Sequence, residues 1–333
     1  MSDTTIAPKR PLRGLDWKML GPLAALVLLL VIGAFLNDNF LSTANLLNIL
    51  TRAAFIGIIA IGATFVISSG GIDLSVGSMA AFTAGMMIIL MNWMLGMTDV
   101  IWLIVLAGIA AGALIGTSAG FINGLFITRG GIEAFIVTLG TMGIYRSLVT
   151  WLADGGTLSL DSDVRSLYRP VYYGDILGLP VPVILFALTA LAGWVILNNT
   201  AFGRHVQSVG ANEDVARYSA INTDRIKLYA YMIQGACVAL ATIVYVPRLG
   251  SASASTGVLW ELEAIAAVII GGTLLKGGYG RIGGTVAGAL ILTLIGNILN
   301  LTDLISNYLN GAVQGVIIIA AVFLQRGLSR KSS

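Results

Sequence analysis

The sequence is poor in charge. Only 11% of its 333 residues are Asp, Glu, Lys or Arg, against roughly 25% in a soluble domain. A chain so thinly charged cannot solvate a globular surface, and a net charge of +3 gives no basic patch for nucleic acid. Cysteine is nearly absent. The single Cys237 lies in an apolar run, which excludes an internal disulfide and a thiolate metal cluster. The single histidine, His205, has no His-Glu-x-x-His partner, so no metal site is expected. No Gly-x-x-x-x-Gly-Lys-Ser/Thr loop occurs, so ATP hydrolysis by this chain is not expected. Ionisable residues are scarce inside the apolar runs. Asp73 and Arg146 are the best placed, and Glu133, Glu261 and Glu263 fall at run ends. Proton- and ion-driven carriers use such groups as relays, and none is evident here. A path of neutral polar groups suits a neutral polar solute driven by energy supplied from elsewhere.

What the sequence has in abundance is apolar residues, 57% of the chain. Several runs exceed the ~18 residues needed to cross a bilayer. The pattern predicts an all-α polytopic membrane protein with about ten spans, near 20–36, 50–69, 75–92, 101–127, 133–152, 181–198, 227–246, 262–275, 282–300 and 308–325. No small-residue cleavage site follows the first run, so it reads as a retained span. The expected division is a tail at 1–19, one transmembrane domain at 20–325 and a tail at 326–333. Fourteen of the 19 Lys and Arg residues fall on one side of these spans. The positive-inside rule then places both termini and the polar island 202–228 in the cytoplasm. Trp93, Trp102, Trp151 and Trp260 fall near outer span ends, and Trp17 and Trp194 near inner ends, as an aromatic belt requires.

Glycine is frequent, with 41 residues. Gly108, Gly112, Gly116, Gly120 and Gly124 recur every four residues, and Gly280, Gly284, Gly288 and Gly296 follow the same spacing. Such ridges let helix backbones approach where lipid supplies no hydrophobic drive. Two glycine-rich breaks, Gly70 to Ser78 and Gly271 to Arg281, expose backbone groups that lipid cannot satisfy and that a covered or cavity-lining segment can. Within the first, Asp73 either caps the following helix or faces the path.

The island 202–228 contains a possible short helix. Asn212 can cap it, and Glu213 and Asp214 complement the dipole in its first turn. Val215, Tyr218 and Ile221 recur on one side, with Ala216 close by. A helix of two or three turns is marginal alone, which points to a protein partner for a loop at 199–226. The longest outer loop, about 153–180, is expected to carry a short surface helix or a docking site.

An ordered set of motifs runs through the chain. It begins with Gly70-Gly71-Ile72-Asp73-Leu74-Ser75-Val76-Gly77-Ser78. Asn123-Gly124, Phe135-Ile136-Val137-Thr138-Leu139-Gly140-Thr141 and Tyr145-Arg146 follow. Then come Phe202-Gly203-Arg204, Gly210-Ala211-Asn212-Glu213 and Ala216-Arg217, and last Glu261-Leu262-Glu263-Ala264-Ile265-Ala266-Ala267 with Gly271-Gly272-Thr273. The set resembles the permease subunits of bacterial ABC importers for monosaccharides of the ribose, galactose and xylose type. Those belong to a binding-protein-dependent permease family shared with branched-chain amino-acid permeases. The resemblance implies two permeases as a homodimer or heterodimer in the bacterial inner membrane, two cytoplasmic ATP-binding subunits and a periplasmic sugar-binding protein. It implies that ATP is bound by the partner ATPase and that this chain binds no cofactor.

The resemblance also implies that residues 210–222 form the coupling helix, with Gly210, Asn212, Glu213, Ala216, Arg217 and Ile221 coupling to the ATPase. Asp73, Ser75, Thr138, Thr141, Tyr145 and Arg146 are the candidates for the translocation path or its gates. The chain departs from the family pattern at Ser147, Ala220, Trp260, Glu263 and Lys276. A branched-chain amino-acid permease and an ion-coupled sugar carrier are the rival readings, and the Gly-Gly-Ile-Asp-Leu-Ser segment argues for the sugar branch.

Overall fold

The long apolar runs fold as helices, because every backbone N–H and C=O in lipid must find a partner within its own segment. The computed structural model describes residues 17–302 and, beyond them, 309, 311–313, 315, 316 and 319. The chain opens with α1 (Trp17–Leu36), α2 (Thr43–Ser68), α3 (Val76–Leu95), α4 (Ile101–Thr128) and α5 (Ala134–Leu152). A connecting region holds β1 (Thr157–Ser159), α6 (Ser162–Tyr168), α7 (Pro170–Tyr173), β2 (Asp175–Ile176) and β3 (Leu179–Pro180). Next come α8 (Val181–Asn199), α9 (Ala201–Ala211), α10 (Glu213–Tyr218) and α11 (Thr223–Leu249), then β4 (Ser251–Ser253), α12 (Trp260–Ile270) and α13 (Ile282–Thr302). Among the described residues seven helices are long and apolar enough to cross a membrane: α2, α3, α4, α5, α8, α11 and α13. The described apolar part of α1, Gly21–Leu36, is shorter.

Helix α2 is the hub, flanked by α8, α11, α12 and α13. The glycine ridge of α4 lies against α11 and α3. A Cβ added at Gly120 would sit 2.2 Å from the Tyr231 carbonyl oxygen, and one at Gly116 2.9 Å from that of Gly235. Nearer the other end of α4, Gly112 and Gly108 receive the side chains of Met87 and Met91 from α3. Bare backbone thus replaces the side-chain interdigitation that drives association in water. The second ridge behaves alike over Gly284 and Gly288, which meet the Gly271 and Ala267 carbonyls, but Gly296 has no neighbour among the described residues within 4 Å of a Cβ position.

Several expectations change. The eighth span is only the 11-residue α12, too short to cross a bilayer. Gly271 and Gly272 stop it, and the apolar run continues in non-helical backbone. The tenth span, 308–325, lies mostly outside the described residues, as do the tails and the side chain of Trp17. The polar island holds two helices where one is expected. Thr200 caps α9 by accepting from the Gly203 N–H at 3.2 Å, and Gly203, Val206 and Val209 bury one face. The loop at about 153–180 does carry short helices, but it is no loose connector. Tyr168 is fully buried and donates to the Ile243 carbonyl at 2.6 Å, while β1 pairs antiparallel with β4. Trp93, Trp102, Trp151 and Trp194 are exposed as a belt requires, whereas Trp260 packs edge-on against Tyr245 at 4.8 Å inside the bundle.

Candidate functional site

At the end of the bundle that carries α9 and α10, the local sequence builds a small, well-tied helix. The Asn212 side chain accepts from the Val215 N–H at 3.0 Å and so starts α10. Glu213, one residue on, bonds Arg217 at 3.3 Å and also holds the Lys227 ammonium from α11. Ala216 faces inward and is buried, and Ile221 packs against the core. Val215 and Tyr218 point outward, exposed by 59% and 92%. Ala220 ends the helix at φ 61°, in the left-handed region where glycine is the residue of least strain.

Three glycines from distant segments meet just above α10. A Cβ on Gly210 of α9 would lie 1.9 Å from the Ser68 carbonyl oxygen and 2.6 Å from the Gly278 nitrogen. One on Gly277 would lie 2.8 Å from the Gly210 carbonyl oxygen and 2.9 Å from the Gly70 Cα. The Gly278 N–H donates to the Ser68 carbonyl at 3.0 Å. Both glycine-rich breaks are therefore seated on α9. Further along, they lead to a second backbone contact. The first turn of α3 meets the turn before α12, where a Cβ on Gly77 would lie 2.0 Å from the Gly257 carbonyl oxygen.

The six path candidates divide into separate places. Asp73 accepts from the Ser75 N–H at 2.8 Å and the Ser75 hydroxyl at 2.6 Å, tying down the turn that starts α3. Asn123 of α4 donates to the same hydroxyl at 2.9 Å. Tyr145 stacks on Phe82 at 5.6 Å. Among the described residues, the Asp73 Oδ2, Asn123 Oδ1 and Tyr145 hydroxyl are buried without a hydrogen-bond partner. Thr138 and Thr141 bond back to carbonyls of their own helix, Thr138 to Ala134 at 2.8 Å and Thr141 to Thr138 at 3.3 Å. Arg146 reaches across to the Ala254 and Thr256 carbonyls, both at 2.6 Å, and so pins the turn that precedes α12. The spacing Gly-x-Ser-x-Gly occurs at Gly116-Thr117-Ser118-Ala119-Gly120, but it runs inside continuous α4 and forms no strand-to-helix nucleophile turn.

A family profile described as "Branched-chain amino acid transport system / permease component" matches residues 45–322. The chain belongs to this permease family. A ribose import permease of Haemophilus influenzae is 38% identical over 92% of this chain and 93% of its own, and one of Bacillus subtilis is 40% identical over 92% of each. A D-allose transport system permease protein of Escherichia coli is 34% identical over 97% of this chain and 96% of its own. Among solved structures, an inward-facing ABC transporter of the metal-chelate type aligns with a TM-score of 0.55, covering 93% of this chain and 99% of that one. At 13% identity that likeness speaks for the fold alone. The permease is thus a multi-pass membrane protein.

The electrostatics of α10 are local. Partial burial works against ionisation of Glu213, but the bonded Lys227 ammonium, helped by Thr223 and Arg217, outweighs it and holds the carboxyl below its ordinary 4.5. A depressed value means that the pairing contributes in full above the ordinary value and is lost as pH falls through the folded one. NMR titration of the labelled Glu213 carboxyl should find its midpoint below 4.5 and moved upward in Lys227→Gln. An unchanged midpoint would remove Lys227 as the cause.

Reading the sequence of the permease missed one group of residues. A cavity of about 300 Å³ opens among α2, α11, α12 and α13, and none of the six path candidates lines it. Its wall includes Phe55, Tyr245, Trp260, Glu263 and Asn300. The signal available was the unusual Trp260 and Glu263 beside a glycine break. No window along the chain joins them to residues 55 and 300.

Proposed function

We propose that this chain is the membrane-spanning permease of an ATP-driven importer that takes a monosaccharide across a bacterial cytoplasmic membrane. The observation that carries this reading is the end-to-end likeness to permeases named for ribose and D-allose, over at least nine-tenths of both chains. The family description names branched-chain amino acids, but the segment Gly70 to Ser78 and these named relatives side with sugars. The permease has no phosphate loop, and ATP belongs to separate cytoplasmic subunits. A periplasmic binding protein delivers the sugar, and a second permease copy completes the membrane unit. Both termini and α10 face the cytoplasm, as the basic residues favour.

Helix α10 is the coupling element. Asn212 caps it, Glu213 and Arg217 brace it to Lys227 of α11, and Ala216 and Ile221 root it, leaving Val215 and Tyr218 for the ATPase. When the ATPases close, α10 carries α9 with it. Gly210 then pushes on the two breaks that it touches, and these lead to α3 and α12. Asp73, Ser75 and Tyr145 stiffen the α3 side of that linkage. Arg146 stiffens the α12 side, and Thr138 and Thr141 keep the wall of α5 smooth. Access alternates as the two copies rock.

The test is reconstitution in liposomes with the cognate ATPase and binding protein, following labelled pentoses, hexoses and leucine. Uptake should require all three proteins and ATP and should select a sugar. Uptake of leucine alone would move the chain to the other branch of the family. Uptake by the permease alone under an ion gradient would overturn the reading.

A further inference from the structure

We propose that Asp73 is a proton-holding site, a neutral carboxylic acid whose hydrogen, carried on Oδ2, fastens the start of α3 to Asn123 of α4. Asp73 lies in the connection between α2 and α3. Its side chain is the only buried carboxyl group among the described residues, and Asn123 and Tyr145 are buried as well. The Asn123 amide adjoins the carboxyl, and Tyr145 stands close enough to feel its charge. Among the described residues the Asp73 Oδ2, the Asn123 Oδ1 and the Tyr145 hydroxyl have no hydrogen-bond partner, although buried polar atoms are nearly always paired. The Ser75 hydroxyl has one hydrogen and gives it to Asp73 Oδ1, so its oxygen accepts from Asn123 Nδ2. That bond sets the orientation of the amide and leaves its Oδ1 in need of a donor. Two acceptors then compete for the single hydrogen of Tyr145. The cluster is one hydrogen short.

A proton taken from solvent as the chain folds supplies that hydrogen and removes the charge. Tyr145 then has Oδ2 to donate to, and Oδ2 has Asn123. A bound water would also bring hydrogens, but it would leave a carboxylate in the interior without a counter-ion. No described Lys, Arg or His forms an ion pair with Asp73. The groups around it are neutral: Ser75 of the same turn, Asn123 of α4, Tyr145 of α5, and Tyr231 of α11, whose hydroxyl donates to the Ile72 carbonyl at 3.0 Å. Arg146, next to Tyr145 in the chain, turns its guanidinium to the Ala254 and Thr256 carbonyls. A buried charge without a partner neutralises instead. Burial pushes the Asp73 carboxyl above its ordinary 3.8, against the bonds from Ser75 and Asn123. The first break is thereby held at both ends. Gly70 abuts Gly210 of α9, and Asp73 is tied to α4 by groups that need no cation.

Infrared difference spectroscopy of the full-length permease in lipid at neutral pH provides the test. The parent spectrum minus that of Asp73→Asn should contain the C=O stretch of a protonated carboxyl. Glu261, a partly buried acid, is common to both samples and cancels. A difference that contains only carboxylate bands overturns the inference, and a bound water or cation would give that result. Acid should also strengthen the fold. The unfolded Asp73 ionises near its ordinary value while the folded one keeps its proton, so stability falls as pH rises between the two. Each pH unit from neutrality down to about pH 5 should therefore raise the folded-to-unfolded ratio of the parent about tenfold relative to Asp73→Asn. A gap in thermal stability between the two that does not move with pH overturns the inference.

Should Asp73→Asn fail to fold, the parent decides alone. Carbon-13 at the aspartate side-chain carboxyl should move the protonated C=O band to lower frequency, and carbon-13 at the glutamate carboxyl should leave it in place. An aspartate-labelled parent whose acid band stays put, or that shows none, overturns the inference. None of these measurements uses transport, so they stand or fall apart from the importer reading.

Discussion

Replacing Tyr218 by aspartate should leave the permease inserted and folded and abolish ATP-driven uptake. Tyr218 is 92% exposed at the end of α10, so its removal costs almost no internal packing. Its neighbour on that face, Val215, is 59% exposed. An exposed tyrosine beside a valine on a charged, well-capped helix has the composition of an interface anchor. Truncating such an anchor costs about 2–4 kcal/mol, or roughly 30- to 1,000-fold in affinity. A buried carboxylate at the centre of an interface sits at the upper end of that range. The ATPase should no longer co-purify with a tagged Tyr218→Asp permease, while the solubilised permease keeps the elution profile of the parent. Retention of the ATPase with normal uptake would show that another surface couples the two.

Gly235→Leu should have the opposite signature, with no folded permease to assay. A Cβ there would lie 2.2 Å from the Gly116 carbonyl oxygen and 2.9 Å from the Gly120 nitrogen. Overpacking against a movable side chain costs about 1–3 kcal/mol. Here the obstacle is the backbone of α4, which cannot change rotamer, so α11 must leave its seat along the whole ridge. Detergent extracts should contain aggregated or degraded Gly235→Leu, and Gly143→Leu, where a Cβ meets nothing among the described residues within 4 Å, should behave as the parent. A monodisperse Gly235→Leu of parental thermal stability would mean that the α4–α11 contact is looser than it stands.

The long helices were legible because lipid leaves one solution to the backbone and the apolar runs announce it. The ridge from Gly108 to Gly124 was legible for the same reason, since only small residues at that spacing bring helices together in lipid. The capped helix at Asn212 needed only residues within a few positions of one another. The short α12 was not legible, because counting apolar residues runs through Gly271 and Gly272, where the helix stops. Helix α9 was hidden by its polar composition, although Thr200 and the buried Val206 and Val209 have the spacing of a helix face. The role of Arg146 could not be read at all. Its partners at 254 and 256 stand more than a hundred residues away and are backbone carbonyls, which any residue supplies. The cavity gathers residues from four helices, and only the fold puts Phe55 beside Trp260.

The meeting of Gly70, Gly210 and Gly277 has a consequence for timing. Side chains at a moving contact act as cushions, because they change rotamer and let one part lag behind another. These three positions have no cushion. Any displacement of α9 reaches the breaks before α3 and after α12 together, and neither can advance without the other. If α10 couples to an ATPase as proposed, two gates driven through such a joint would open and close in a fixed phase.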